Sequence, residues 1–150
     1  MTRVIGMAIE NAGTGRGGPF AALVVKQDSI LASGVNSVVA ANDPTAHAEI
    51  VAIRAACQAL GSFQLTGCDI YASCEPCPMC LGAIYWARPA RIYFAATRAD
   101  AAAAGFDDDL VYRELNAPIG ERKIPLLPLM RAQAQRAFAA WAANTGRIAY

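Results

Sequence analysis

The sequence has few of the features that would place a protein in a membrane or on a nucleic acid. Although 55% of its residues are hydrophobic, no uninterrupted apolar run approaches the roughly 20 residues that a membrane-spanning helix needs. Thirteen basic and twelve acidic residues leave a formal charge of +1, without a lysine and arginine cluster that would bind a phosphate backbone. The N-terminal stretch also lacks the apolar centre of a signal peptide, so we expect a cytoplasmic protein with no nucleic-acid or membrane partner.

Histidine is scarce as well, since His47 is the only one, whereas there are five cysteines. In a chain without an export signal, cysteines are expected to stay reduced. Two closely spaced cysteines then indicate a metal site or a redox pair rather than a structural disulfide. No second histidine is present to act as a ligand, so the neighbours of the cysteine pair must decide between these two kinds of site.

The hydrophobic pattern predicts one α/β domain over residues 1–150, a length that suits a single core. Helical spacing predicts a first helix that ends near Gly13, a second with Asp43 or Thr45 as its N-cap and Gly61 as its stop, and a last one over residues 131–143. Strand composition covers residues 20–26, 30–38, 68–73, 91–96 and 124–129, and prolines confine the last run to an edge. We expect a three-layer α/β/α fold around a mixed sheet of roughly five strands, the first two forming a hairpin.

Two short motifs carry the chemistry: His47-Ala48-Glu49 and, further along the chain, Pro76-Cys77-Pro78-Met79-Cys80. One imidazole and two thiolates give zinc three protein ligands and leave the fourth tetrahedral position to water, which is typical of a catalytic zinc site. Pro76 or Pro78 is expected to open a helix, whose N-terminus favours thiolate. The sequence therefore predicts one Zn²⁺ per chain held by His47, Cys77 and Cys80, with Glu49 transferring protons beside it.

Other interpretations of these residues are open. A Cys-x-x-Cys pair in a strand-to-helix turn is also typical of a thioredoxin-like redox site, and a non-catalytic zinc module is a further alternative. The upstream His-x-Glu favours the hydrolytic site. Cys57 is expected in the core, Cys68 and Cys74 are expected on a strand with Cys74 within reach of the pocket, and Glu75 suits a structural hydrogen bond better than catalysis.

The two motifs together resemble the signature of the zinc-dependent nucleobase deaminases, His-x-Glu followed by Pro-Cys-x-x-Cys. The resemblance extends over residues 42–49, 73–89 and 104–108, and it covers nearly the whole chain from Gly17 to Tyr150. Over these blocks, the sequence is similar to the bacterial guanine deaminases of the cytidine/deoxycytidylate deaminase family. The first two blocks are shared in part with tRNA adenosine deaminases, whereas the Gly-Phe-Asp-Asp block and the aromatic C-terminal tail are more discriminating.

The resemblance implies a cytidine-deaminase-like fold and the hydrolytic deamination of guanine to xanthine and ammonia, in purine salvage or catabolism. In that family zinc activates a water for attack at C2 of the base, while the shuttling glutamate, here Glu49, protonates N3 and then the leaving amine. The resemblance places Asn36 and Asp108 on the polar edge of the base, Phe20 against its ring, and Tyr150 in a tail of about residues 144–150 that closes the pocket. It also implies a homodimer, in some members with exchanged C-terminal segments.

Chemistry supports Asp108 independently, because guanine offers N–H donors and an analogue without them leaves a buried carboxylate unpaired. Guanosine, cytosine and adenosine in tRNA stay open as substrates of the same zinc chemistry. The three aspartates at 107–109 near the predicted mouth would repel tRNA phosphates. Tolerance of a ribose depends on how tightly the tail closes.

Overall fold

The computed structural model describes residues 1–106 and 108–149, which fall into two compact units, Met1–Val111 and Tyr112–Tyr150. The first unit contains four strands, β1 (Ala21–Lys26), β2 (Ser29–Val35), β3 (Cys68–Cys74) and β4 (Arg91–Ala96). Its helices are α1 (Thr2–Gly13), α2 (Val38–Ala41), α3 (Ala48–Leu60), α4 (Pro78–Ala87) and α5 (Arg98–Ala103). A further helix, α6, covers Asp109–Asn116.

The strands form one mixed sheet in the order β2-β1-β3-β4. β1 is antiparallel to β2 and β3, and β3 is parallel to β4. The predicted hairpin joins β1 to β2 through Gln27 and Asp28, whose φ angles of 49° and 61° are those of a type I′ turn. The predicted α/β class with a mixed sheet is confirmed, although the described residues form a sheet of four strands rather than about five.

The expected fifth strand, residues 124–129, is irregular in the structure. Pro125 and Pro128 have no N–H to donate, so the segment cannot form a regular ladder. The predicted N-cap of the helix that ends at Gly61, which is α3 in the structure, was also wrong. Asp43 and Thr45 form a local turn, in which the Thr45 N–H and hydroxyl both donate to Asp43 Oδ1 at 2.8 and 2.7 Å, and the N-cap of α3 is His47.

Apolar side chains pack on both faces of the sheet, as the period of two along β1 requires. Ala22 and Val24 face α3 and α4, where Ala48, Ala52, Ala56 and Ile84 complete one buried cluster. Ala21 and Leu23 face the other way and pack against Val4 and Ala8 of α1. These two clusters produce the three layers that the sequence predicted.

The helix α3 lies unusually close to β2 because Gly34 has no side chain. A Cβ at Gly34 would overlap the carbonyl oxygen of Ala48 and the backbone nitrogen of Ala52. This close approach sets the position of the first turn of α3, which carries His47 and Glu49.

The second unit contains a short 3₁₀ helix, Ile119–Glu121, and α7 over Arg131–Ala143, the range predicted for the last helix. The loop before α7 is held locally, since the Lys123 N–H donates to Glu114 Oε2 at 2.7 Å. α7 buries none of its residues. Among the helices of the described residues, none is long and apolar enough to cross a membrane.

Candidate active site

Two helix N-termini of the first unit bring the predicted metal ligands together. His47 is the N-cap of α3 and Cys77 is the N-cap of α4, while Pro78 occupies the first turn of α4 and Cys80 follows it. Proline suits that position because its missing N–H would have no partner in the helix. The two motifs are distant in sequence but meet at one end of the sheet.

The three ligand atoms fit a tetrahedral zinc ion. His47 Nδ1 lies 3.6 Å from Cys77 Sγ and 3.5 Å from Cys80 Sγ, and all three atoms lie within 4.8 Å of one another. Zinc bonds of about 2.3 Å to sulfur and about 2.05 Å to nitrogen, at a tetrahedral angle, place sulfur and nitrogen about 3.6 Å apart. The donor set and its spacing therefore suit zinc with a fourth position left for water.

Hydrogen bonding within the ligand cluster favours the thiolate form of one of its two cysteines. A hydrogen bond from the Cys80 thiol, together with one from His47, lowers the pKa of Cys77 to about 4, and the same contact raises the pKa of Cys80. The contact with Cys77 raises the pKa of His47. Thiolate is the form of cysteine that binds metal, so Cys77 is ready to act as a ligand.

Glu49 lies in the first turn of α3, next to the ligand cluster. Its side chain is 8% exposed, and burial raises the pKa of its carboxyl. The carboxyl also interacts with the Cys80 thiol. A buried carboxyl with a raised pKa is suited to taking up a proton and returning it, which is the chemistry predicted for Glu49.

The ligand cluster opens into a cleft of about 300 Å³, within the size range of small-molecule sites. Six of the eight predicted site residues line it, namely Phe20, Asn36, His47, Glu49, Cys77 and Asp108. Cys80, which belongs to the ligand cluster, is fully buried beneath it. The eighth, Tyr150, lies outside the described residues.

Asn36 follows β2 and is 8% exposed. Its Oδ1 accepts hydrogen bonds from the backbone N–H groups of Gly18 at 3.2 Å and Val38 at 3.4 Å. With the oxygen directed to the backbone, the NH₂ of the amide is the part that can donate to a molecule in the cleft. Asn36 therefore suits an acceptor on a bound ligand.

Phe106 also lines the cleft, and it had no predicted role of its own. Its ring meets the ring of Phe20 edge to face, with centroids 4.7 Å apart and an interplanar angle of 78°. Such pairs hold each other in place, so the two rings form a fixed apolar wall suited to a flat base. The signal in the sequence was the aromatic residue directly before the acidic run at 107–109.

Cys74 and Glu75 complete the cleft beside the ligands. Burial raises the pKa of Cys74 to about 11, and its Sγ donates to the Thr97 carbonyl at 3.5 Å, so it stays a thiol. Glu75 Oε2 accepts a hydrogen bond from the backbone N–H of Arg98 at 3.0 Å, which is the structural kind of contact expected for Glu75.

The other two cysteines lie away from the cleft, in the core between the sheet and α3. Cys68 is fully buried, and Cys57 is half-buried against the same core, as predicted.

Comparisons with known proteins agree with this site. Residues 1–96 match the cytidine and deoxycytidylate deaminase zinc-binding region. The chain is 51% identical to guanine deaminase of Bacillus subtilis over 94% of its own length and 90% of that protein. The crystal structure of the Bacillus subtilis enzyme superimposes with a TM-score of 0.96 at 49% identity, covering 99% of this chain and 95% of that one.

Two further relatives are less similar. Guanine deaminase from Nitrosomonas europaea superimposes with a TM-score of 0.67 at 31% identity, covering 91% of this chain and 69% of that one. A tRNA-specific adenosine deaminase of Agrobacterium fabrum is 46% identical over 52% of this chain and 51% of that protein. The zinc ligands, the buried glutamate and these similarities lead to one conclusion: the chain belongs to the cytidine and deoxycytidylate deaminase family of zinc enzymes.

Proposed function

We propose that this protein hydrolyses guanine to xanthine and ammonia. The observation that carries the proposal is the His47, Cys77 and Cys80 cluster with Glu49 beside it, at the base of a cleft lined by Asn36 and Asp108. The similarity to the Bacillus subtilis guanine deaminase supports the choice of base, since it extends over 94% of the chain. The tRNA-specific relative matches only 52% of it, which favours a free base over tRNA.

Zinc held by His47, Cys77 and Cys80 would polarise a water, lowering its pKa from about 15.7 towards about 7. Glu49 takes a proton from that water and delivers it to N3 of guanine as the water oxygen bonds to C2. Glu49 then moves the remaining proton of that oxygen to the amine, and the bond between C2 and the amine breaks. The oxygen stays on C2, so guanine and water become xanthine and ammonia. One carboxyl serves both transfers, and burial raises its pKa, which helps the carboxyl to hold the proton that it moves.

The walls of the cleft orient the base in this proposal. Asn36 donates from its amide NH₂ to an acceptor of guanine, and Asp108 accepts from the N–H donors on the same edge. Phe20 and Phe106 pack against the ring. A base without the N–H donors would lack the charge-assisted hydrogen bond to Asp108, which gives selectivity for guanine.

We further propose that the C-terminal tail closes the cleft, that the protein is a homodimer and that it is cytoplasmic. Tyr150 closes the cleft as part of the 144–150 tail of one deaminase domain over residues 1–150. The protein acts as a homodimer with exchanged C-terminal segments, which is supported by α7, which buries none of its residues, and by Phe138, which is 75% exposed. It works in the cytoplasm, in agreement with its five free cysteines.

The test is an ammonia-release assay with zinc-loaded protein over guanine, guanosine, adenine, cytosine and a tRNA anticodon stem. We expect guanine to have the highest kcat/KM and a chelator to remove the activity. Turnover of guanosine at the same rate would mean that the cleft accepts a ribose. No turnover of guanine would overturn the proposal.

A further inference from the structure

Asn11 is a polar side chain on the buried face of α1. It follows Val4 and Ala8 at helical spacing, and these three are the buried residues of the helix. Only 8% of Asn11 is exposed, and it does not line the cleft. A buried amide in an otherwise apolar face needs hydrogen-bond partners to offset its lost hydration.

The partners of Asn11 belong to the two segments that build one wall of the cleft. Its Nδ2 donates to the carbonyl of Gly18 at 2.8 Å and to the carbonyl of Asn36 at 3.0 Å. Both N–H bonds of the side-chain amide are thereby used. One side chain of α1 joins the segment before Phe20 to the residue that follows β2.

The same two segments are joined twice more without α1. The Gly18 N–H donates to Asn36 Oδ1 at 3.2 Å, and the Asn36 N–H donates to the Phe20 carbonyl at 3.0 Å. The backbones approach so closely at Gly17 that a Cβ there would overlap the Asn36 carbonyl oxygen. The orientation of the Asn36 amide therefore depends on where Gly18 lies, and Asn11 holds Gly18.

We propose that Asn11 is a positioning residue for the cleft. It fixes the Gly18 carbonyl and the Asn36 carbonyl relative to each other, so that Asn36 Oδ1 faces the Gly18 N–H and the Asn36 NH₂ is presented to the base. The part of this inference that concerns the base rests on the proposed guanine chemistry. Because Asn11 acts on the base-holding wall and not on the zinc ligands, its loss weakens substrate binding more than the chemical step.

Three variants separate this role from simple stabilisation of α1. Asn11→Ala removes both donors, and Asn11→Asp keeps the shape but sets a carboxylate against two carbonyl oxygens. Val4→Ala is the matched control, since Val4 is fully buried on the same helix and makes only apolar contacts with the sheet. Thermal unfolding of all three shows how much each change costs in stability.

Steady-state kinetics with guanine give the first readout. For Asn11→Ala we expect KM to rise about tenfold, the factor expected when the neutral hydrogen bond from Asn36 to the base is lost, with kcat within about threefold of the wild type. Asn11→Asp is expected to be at least as impaired, whereas Val4→Ala lowers Tm and leaves KM unchanged. A wild-type KM in Asn11→Asp, or an equal rise of KM in Val4→Ala, would overturn the proposal.

Amide hydrogen exchange gives a second readout that needs no substrate. We expect the Gly18 N–H to exchange faster in Asn11→Ala than in Val4→Ala at equal loss of global stability. Equal exchange rates of the Gly18 N–H in the two variants would overturn the proposal, whether or not the wild type turns over guanine. Faster exchange in a protein that does not turn over guanine would support the role of Asn11 and count only against the proposed reaction.

Discussion

The carboxyl of Glu49 is 8% exposed and sits two residues from a zinc ligand, so its removal tests proton transfer without removing the metal. Glutamine keeps the size of the side chain but cannot take up a proton. We expect Glu49→Gln to lose about a thousandfold in kcat, within the range of general acid–base catalysis. Stopped assays for xanthine, with zinc measured on the same sample, check this result.

The control for Glu49→Gln is the same exchange at Glu10, which is exposed on α1. Glu10→Gln should keep full activity. If Glu49→Gln retained more than a tenth of the wild-type kcat with zinc bound, Glu49 would not be the proton carrier.

Selectivity for guanine should depend on Asp108, which lines the cleft, and not on the exposed Asp109 beside it. In Asp108→Asn the charged acceptor is lost and an amide NH₂ faces the N–H donors of the base. We expect kcat/KM for guanine to fall by about 10- to 150-fold, since hydrogen bonds to charged groups contribute about 1.5–3 kcal/mol. Asp109→Asn should stay within about twofold, and equal losses in the two variants would contradict the role of Asp108.

The zinc ligands could be predicted from the sequence because their chemistry needs particular residue types at a short, fixed spacing. Cys77 and Cys80 lie in one helical turn, and His47 was the only histidine available. Phe106 and Asn11 could not be assigned in this way. Asn11 reaches Asn36 across 25 residues of sequence, and the contact exists only once α1 has packed on the sheet.

At the level of elements, the packing of α3 on β2 determines where His47 and Glu49 lie. A Cβ at Gly34 would overlap the backbone of α3, so helix and strand would have to separate. We expect Gly34→Ala to lower the free energy of unfolding by about 3 kcal/mol or more, as overpacking against backbone does. Urea unfolding followed by circular dichroism measures the change.

Gly82 provides the matched comparison for Gly34, because it lies within α4 and a Cβ there would meet nothing within 4 Å. Gly82→Ala should raise the free energy of unfolding by about 0.5–1 kcal/mol, since alanine loses less backbone entropy in a helix. A Gly34→Ala protein as stable as the wild type would show that the close approach is not needed.

Most elements could be predicted because their hydrophobic period or their turn residues are local. The range of α7 and the β1–β2 hairpin follow from such patterns. Residues 124–129 were misassigned because strand composition describes side chains, whereas the prolines remove the backbone donors that a ladder requires. The start of α3 was misplaced because Asp43 and Thr45 use their cap-forming groups in a turn with each other.

At the level of the whole molecule, the exposed apolar side chains favour a homodimer. Phe138 on α7 is 75% exposed and Tyr85 on α4 is 76% exposed. Large exposed apolar surfaces commonly mark interfaces. Light scattering should give twice the chain mass of 15.8 kDa for the wild type and the single-chain mass for Phe138→Glu.

Gln135→Glu is the control for Phe138→Glu, since it adds the same charge at another exposed position of α7. It should remain a dimer. A wild type of single-chain mass at micromolar concentration would rule out the proposed homodimer.

Hydrolysis of guanine by zinc and Glu49 together is tested most directly by the reaction in oxygen-18 water with zinc-loaded protein. We expect one molecule of ammonia for each xanthine, one oxygen-18 atom in each xanthine, and loss of both products on chelation with recovery after zinc is restored. Xanthine without the label, or no xanthine from the zinc-loaded protein, would contradict it.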